Sequence, residues 1–259
     1  MAFAGNTVRY TLAMRTFLAS TVLLASAALP TNAQRVSADG APQTFNYLAE
    51  QYFADVYFHF SPTAGTSNGL HQYDTQLEDY SAANIQKEIA ALHAYEKKVE
   101  AIDPSALDAS VAGDRQILLN NIRSSLLSLE VIRSWEKNPD IYSSGITGSA
   151  FTIMERPFAP PDARLKSLVE REKLMPQVLL EARKNLKNPP RIYTEIALEQ
   201  IDGLVSFFQS DVPEAFKDAT DAEAKAALVS GSVASVKAEG TSVWKKLTRP
   251  SICSSAISV

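Results

Sequence analysis

With 259 residues, 25 basic and 29 acidic side chains and a net charge of −4, the chain can bury a substantial core and lacks the basic surplus that broad nucleic-acid binding requires. Its single cysteine excludes an internal disulfide, and its three histidines form no metal-binding spacing. The sequence contains no His-Glu-x-x-His motif, cysteine pair, Walker-type glycine loop or Gly-x-Ser-x-Gly elbow.

Residues 1–33 read as a cleaved secretory signal. Arg15 precedes an apolar run over 17–29, Pro30 breaks it, and small residues lead to Ala33. That run is too short to span a bilayer, so no stable membrane span is expected once the signal is cleaved. Residues 1–13 read as an upstream extension, with Met14 an alternative start. No cysteine stands at the expected cleavage point, so a lipid anchor is not expected. Removal of the signal takes away Arg9 and Arg15 and no acidic residue, leaving the remainder more acidic. The expected location is periplasmic or secreted.

A linker over 34–43 leads into a helical domain over 44–239. Phe45, Leu48, Tyr52, Val56 and Phe60 recur at three- and four-residue steps, which predicts a helix over 44–60 ended by Ser61-Pro62. Residues 61–80 read as a loop. Ser81 is placed to cap a second helix carrying Ile85, Ile89, Leu92, Val99 and Ile102, closed at Asp103-Pro104. A third helix fits 111–136, with Leu118, Ile122, Leu126 and Leu129 inward. Residues 138–161, with Gly145, Gly148, Pro157, Pro160 and Pro161, read as an irregular connection. Such long connections are more often functional or partly disordered, and short one-turn helices are compatible with this one. A fourth helix follows Asp162, with Pro176 marking a kink or a junction of two helices. Asn188-Pro189-Pro190 is a break, 192–209 a fifth helix, and Pro213 opens a weaker, Ala-rich one reaching about 237. With no alternating strand pattern and no tandem repeat, the fold class is all-α, an irregular multi-helix bundle.

Chemistry-bearing residues are few. Asp55 and His59 share a helix face but supply only two ligands where zinc needs three or four. His93 lies on a polar face, and Trp135 reads as core or hinge packing. The charges of the fourth helix, Arg164, Glu170, Arg171, Glu172, Lys173, Arg183 and Lys184, read as a solvated face. His71 and Asp74, flanked by Gly69 and followed by Glu78 and Asp79, suit either ligand contact and general-base work or local loop structure. Tyr142 and Arg156, in the long connection, are the remaining candidates for lining a cleft. No residue is assigned a catalytic or metal-binding role.

The order of these features resembles the exported, helical bacterial proteins gathered as the domain of unknown function 885. The resemblance rests on the aromatic-rich first helix, Ser61-Pro62, the Gly69–Asp74 loop, the hairpin over 81–136, and Ala182-Arg183-Lys184-Asn185-Leu186-Lys187-Asn188-Pro189-Pro190. It covers roughly residues 44–235. It implies the N-terminal half of a larger, zinc-dependent peptidase-like fold, in which metal-activated water attacks a peptide carbonyl. The zinc motif of full-length members lies in a C-terminal half without counterpart here, so zinc is implied only for a full-length relative and no cofactor for this chain. Residues 240–259, Ser-rich, unpatterned and carrying Cys253, read either as a frameshifted or early-ended reading frame or as an ordinary disordered terminus.

The resulting expectation is a truncated zinc-metallopeptidase-like protein, inactive alone, that meets a peptide substrate only when completed by the missing half. The alternative is a non-enzymatic periplasmic helical binding or interaction domain. A metal-free hydrolase using His71 is a third reading.

Overall fold

The computed structural model describes residues 40–228, and every regular element among them is helical. The expected signal and tail, over 1–33 and 240–259, lie outside the described residues, as does the end of the Ala-rich helix beyond 228.

Helix α1 spans Ala41–Tyr52, so it begins inside the expected linker, with Pro42 in its first turn. Proline suits that position because its missing N–H is one no helix start would use. The expected single rod to residue 60 is interrupted by a π turn at Phe53–Tyr57 before the short α2, Phe58–Phe60. One extra residue per turn shifts the register. Val56 remains buried while Phe53 and Tyr57 turn outward. The expected loop after Ser61 opens instead with α3, Pro62–Ser67, and carries a 3-10 turn at His71–Tyr73. Gly69, at φ +82°, supplies the reversal between them.

Helix α4 spans Ala82–Glu100 and is capped as expected, the Ser81 hydroxyl accepting from the Asn84 amide at 3.2 Å. After a 3-10 turn at Pro104–Ala106, Asp108 caps α5, Ala109–Leu126, by accepting from the amides of Ser110 and Val111. A second π stretch, Leu127–Ile132, extends α5 until Arg133 adopts the left-handed conformation at φ 54°. That reversal splits the expected third helix and starts α6, Ser134–Lys137. Helices α1, α4 and α5 enclose one core around Phe45, Leu92, Val99 and Ile122, with Trp135 packed at its edge.

The expected irregular connection over 138–161 is largely a helix, α7, Asp140–Glu155. Its glycines and prolines suggested a loop. Tyr142, Ile146, Ala150 and Ile153 nonetheless recur at helical steps and are all fully buried. Helices α8, Pro161–Glu172, and α9, Met175–Asn185, stand end to end, with Pro176 in the first turn of α9. Helix α10, Arg191–Ser206, continues as a π stretch at Phe207–Asp211, followed by α11, Val212–Ala215, and a helical segment over 222–228. These elements enclose a second core around Ile146, Leu168, Leu179, Phe208 and Phe216.

The two cores meet at a polar node. The Tyr142 hydroxyl donates to the Trp135 carbonyl, while the Asn185 amide donates to the Tyr142 hydroxyl at 3.2 Å and to the Tyr80 carbonyl at 2.7 Å. Among the described residues no helix is long and apolar enough to cross a membrane.

Candidate functional site

The segment from α3 to α4 is held from beneath by Arg171. This side chain lies in the inward stripe of α8, one turn after Leu168, and has no solvent exposure. It donates to the Ser149 carbonyl at 2.7 Å, the Thr66 hydroxyl at 2.7 Å and the Tyr73 carbonyl at 2.8 Å. Its Nε has no hydrogen-bond partner. Burial pushes the guanidinium down to about 10, and the charges of Glu78 and Asp74 oppose that shift. It therefore stays cationic at neutral pH. The expectation of a solvated charged face on this helix is thus corrected. Arg164, Arg171 and Glu172 are buried, and Arg164 donates to the carbonyls of Ile153 and Met154 at the end of α7.

Above Arg171, Asp74 is buried while His71 is about half exposed. The His71 Nδ1 lies 3.1 Å from Asp74 Oδ2. The tautomer with its proton on Nδ1 donates to this carboxylate and leaves Nε2 as an acceptor. The ring stacks on Phe158, with centroids 4.0 Å apart and planes at 19°. Arg156, two residues before Phe158, donates to the Ser67 carbonyl at 2.5 Å. Three of the four expected cleft residues, His71, Asp74 and Arg156, therefore gather where the end of α7 meets the 61–80 segment. Tyr142 does not join them. It is fully buried in the node between the cores and presents no surface to a cleft.

A groove of about 590 Å³ runs between α3 and α7, lined by Thr63, Ser67, Tyr80, Ser144, Gly145 and Gly148 among others. Its walls are cross-tied by Ser67, whose hydroxyl donates to the Thr63 carbonyl at 3.0 Å and lies 3.2 Å from the Thr152 hydroxyl. Gly145 leaves room for Tyr80, because a Cβ there would lie 2.7 Å from the Tyr80 hydroxyl.

The remaining candidates do different work. Asp55 accepts from the Tyr95 hydroxyl at 3.2 Å, and His59 packs edge-on against Phe60. His93 places Nε2 3.0 Å from Glu130 and Nδ1 3.7 Å from Glu96, so its two nitrogens face different carboxylates. Zinc needs three or four converging donors. Among the described residues no group of three or more His, Cys, Asp or Glu side chains converges, and these side chains do not fit a zinc centre. Arg171, Glu88, Tyr80 and Phe158 went unnoticed in the sequence as site residues. Only Arg171 left a signal there, a charge set within an apolar stripe.

These features sit on a fold shared with known proteins. The chain belongs to a bacterial family described as protein of unknown function, DUF885, whose model matches residues 62–249. A solved structure from Shewanella oneidensis, provisionally described as a lipoprotein of unknown function, matches with a TM-score of 0.67 at 25% identity, over 78% of this chain and 37% of that one. The present chain thus spans little more than a third of that neighbour. No curated protein matches it.

Proposed function

We propose that this chain is an exported member of its family whose α3–α7 groove holds an extended peptide segment, with His71 at one end as a hydrogen-bonding or proton-handling group, and that these residues by themselves bind peptide without cleaving it. The observation that carries the reading is the pairing of buried Asp74 with half-exposed His71, which stacks on Phe158 next to Arg156, the residue that donates to Ser67 of a hydroxyl-lined groove. The carboxylate fixes the tautomer and orientation of the ring. The resulting Nε2 accepts from a peptide N–H when neutral and donates to a carbonyl when protonated. The signal pattern over 1–33 supports export, as does the description of the Shewanella neighbour as a lipoprotein. In a full-length relative the same groove would face peptidase machinery supplied by other residues.

The test incubates the purified chain with a tryptic casein digest, recovers bound peptides by rapid gel filtration, and assays cleavage with and without a chelator. Peptide retention that falls at least fivefold in His71→Ala and Asp74→Asn, with no cleavage, is the expected result. Chelator-sensitive cleavage overturns the binding-only reading, and retention unchanged in both variants removes His71 from it.

A second reading, a non-enzymatic helical interaction domain, is favoured by Ile192, Tyr193 and Ile196, which α10 leaves exposed. It predicts peptide retention indifferent to His71 and Asp74.

A further inference from the structure

Over the first core, helices α1 and α5 leave a groove of about 410 Å³, within the range of about 300–1,000 Å³ usual for ligand sites. Phe45 and Leu118, both buried, form its floor with Ala49. Its apolar edges are Phe53 and Ile117, which are 41% and 60% exposed. The π turn accounts for Phe53, which turns outward with Tyr57 while Val56 stays in the core. The rings of Phe53 and Tyr57 meet edge to face with centroids 5.7 Å apart. Tyr57 lines the α3–α7 groove and Phe53 lines this one, so an aromatic pair joins the two.

The rim of this groove is polar, exposed and without a cation. Asn46 and Glu50 stand on the α1 side, Asp114 and Asn121 on the α5 side. Where α5 faces α4, by contrast, Arg123 answers Glu96 at 2.8 Å and Glu100 at 2.5 Å. Glu50 and Asp114 enter no such pair among the described residues. An apolar trough between two uncompensated carboxylates complements an apolar side chain carried next to a positive charge. The two asparagine amides, each with donors and an acceptor, suit a peptide backbone. A purely apolar ligand would leave the carboxylates unanswered, and an acidic segment would be repelled by them.

We propose that the α1–α5 groove docks a peptide segment carrying an apolar side chain beside a lysine or arginine. The apolar group enters between Phe53 and Ile117 and lies on Phe45, Ala49 and Leu118. The cation meets Glu50 or Asp114 at the rim. Through the Phe53–Tyr57 pair the groove continues the one between α3 and α7. The inference rests on the peptide-groove reading for the kind of ligand and adds the side chains preferred, through residues that the His71 site does not share.

The test titrates the full chain by calorimetry with three capped peptides, acetyl-Lys-Leu-Leu-Lys-amide, acetyl-Glu-Leu-Leu-Glu-amide and acetyl-Lys-Ser-Ser-Lys-amide. Saturable binding of the first, at least tenfold weaker for the other two, is expected. Ile117→Ser alters an exposed side chain and should weaken the first peptide at least fivefold. Glu50→Gln combined with Asp114→Asn keeps the apolar trough and should make the basic and acidic peptides bind alike. The proposal falls if the first peptide gives no saturable heat, if all three bind the wild type alike, or if either variant leaves its affinity unchanged. Self-association that Ile117→Ser abolishes, without peptide heat, assigns the groove to a second copy and overturns it as well. His71→Ala and Asp74→Asn should bind these short peptides normally. Binding that falls in those two variants and not in Ile117→Ser places the peptide between α3 and α7, which overturns this inference and upholds the groove reading, so the two fail separately.

Discussion

Arg171 keeps its charge where water cannot reach it, and three donated hydrogen bonds make that tolerable while tying the His71 segment to α7 and α8. Replacing it with Met removes the donors and leaves buried acceptors at Thr66, Tyr73 and Ser149 unanswered. A loss of about 3–5 kcal/mol is expected in urea unfolding, with faster amide exchange over 66–74. Lys, retaining charge and part of the donor set, should recover some of it. An Arg171→Met protein of unchanged stability would show that the segment is held by packing instead. Glu88 yields a prediction of opposite sign. Its carboxyl is raised from 4.5 to about 7 by burial and by Glu78. Below about 4.5 both folded and unfolded chains carry the proton, so nothing is lost. Between 4.5 and 7 the unfolded chain releases it first, and stability falls as pH rises; above 7 the loss is complete. Allowing for solvent around a half-buried group, the penalty is about 1–2 kcal/mol. Glu88→Gln is therefore expected to gain that amount at pH 8 and nothing at pH 4, as read by urea melts; equal gains at both would place the effect outside titration.

At the scale of single helices, the glycines separate close packing from open space. Ala at Gly145 would place its Cβ 2.7 Å from the Tyr80 hydroxyl, whose ring is packed on Tyr142 with centroids 5.0 Å apart. Gly113 in α5 has nothing within 4 Å of the same construction. Gly113→Ala should therefore stabilise by about 0.5–1 kcal/mol through helix propensity. Gly145→Ala should destabilise by about 1 kcal/mol, since overpacking outweighs the same propensity gain. Tyr80→Phe, which removes the obstructing oxygen, should restore the double variant; thermal melts of the four proteins decide it. The same contrast explains what the sequence disclosed. Helices with wide apolar stripes, α4 and α5, were legible from Ile85 to Leu126, and Ser81 announced its own cap. Helix α7 was obscured because Gly145, Gly148 and three serines give it a loop composition, although Tyr142, Ile146, Ala150 and Ile153 carry its period. The π turns in α1 and after α5 were invisible, since a one-residue register shift depends on the partner surface. His71 and Asp74 could be singled out because they are three residues apart in one loop. Glu78 and Glu88 form a pair only through the approach of α4 to the 61–80 segment, which no local spacing records.

At the scale of the whole described structure, two apolar clusters share a small polar joint, and the joint decides whether they unfold together. Trp135 belongs to the first cluster and Tyr142 to the second, with Asn185 of α9 bonding both the Tyr142 hydroxyl and the Tyr80 carbonyl. All three polar groups lie in surroundings where a missing partner is not replaced by water. Asn185→Ala leaves the Tyr80 carbonyl without this donor, at an expected cost of about 1–3 kcal/mol. Neither apolar cluster loses a contact of its own, so each should persist, and what weakens is their coupling. Native-state hydrogen exchange reads this directly. In the wild type the slowest amides of α4 and α5 should share one opening free energy with those of α7 and α9. In Asn185→Ala the two sets should separate, because each cluster then opens without the other. A common free energy retained in the variant would show that the apolar contacts of Leu77 and Tyr80 with the second core suffice to couple them. The groove lies between α3 and α7, close to this joint, and the joint's rigidity sets how far its walls can part. The variant that uncouples the cores should therefore also weaken peptide retention, while leaving His71 and Asp74 chemically intact.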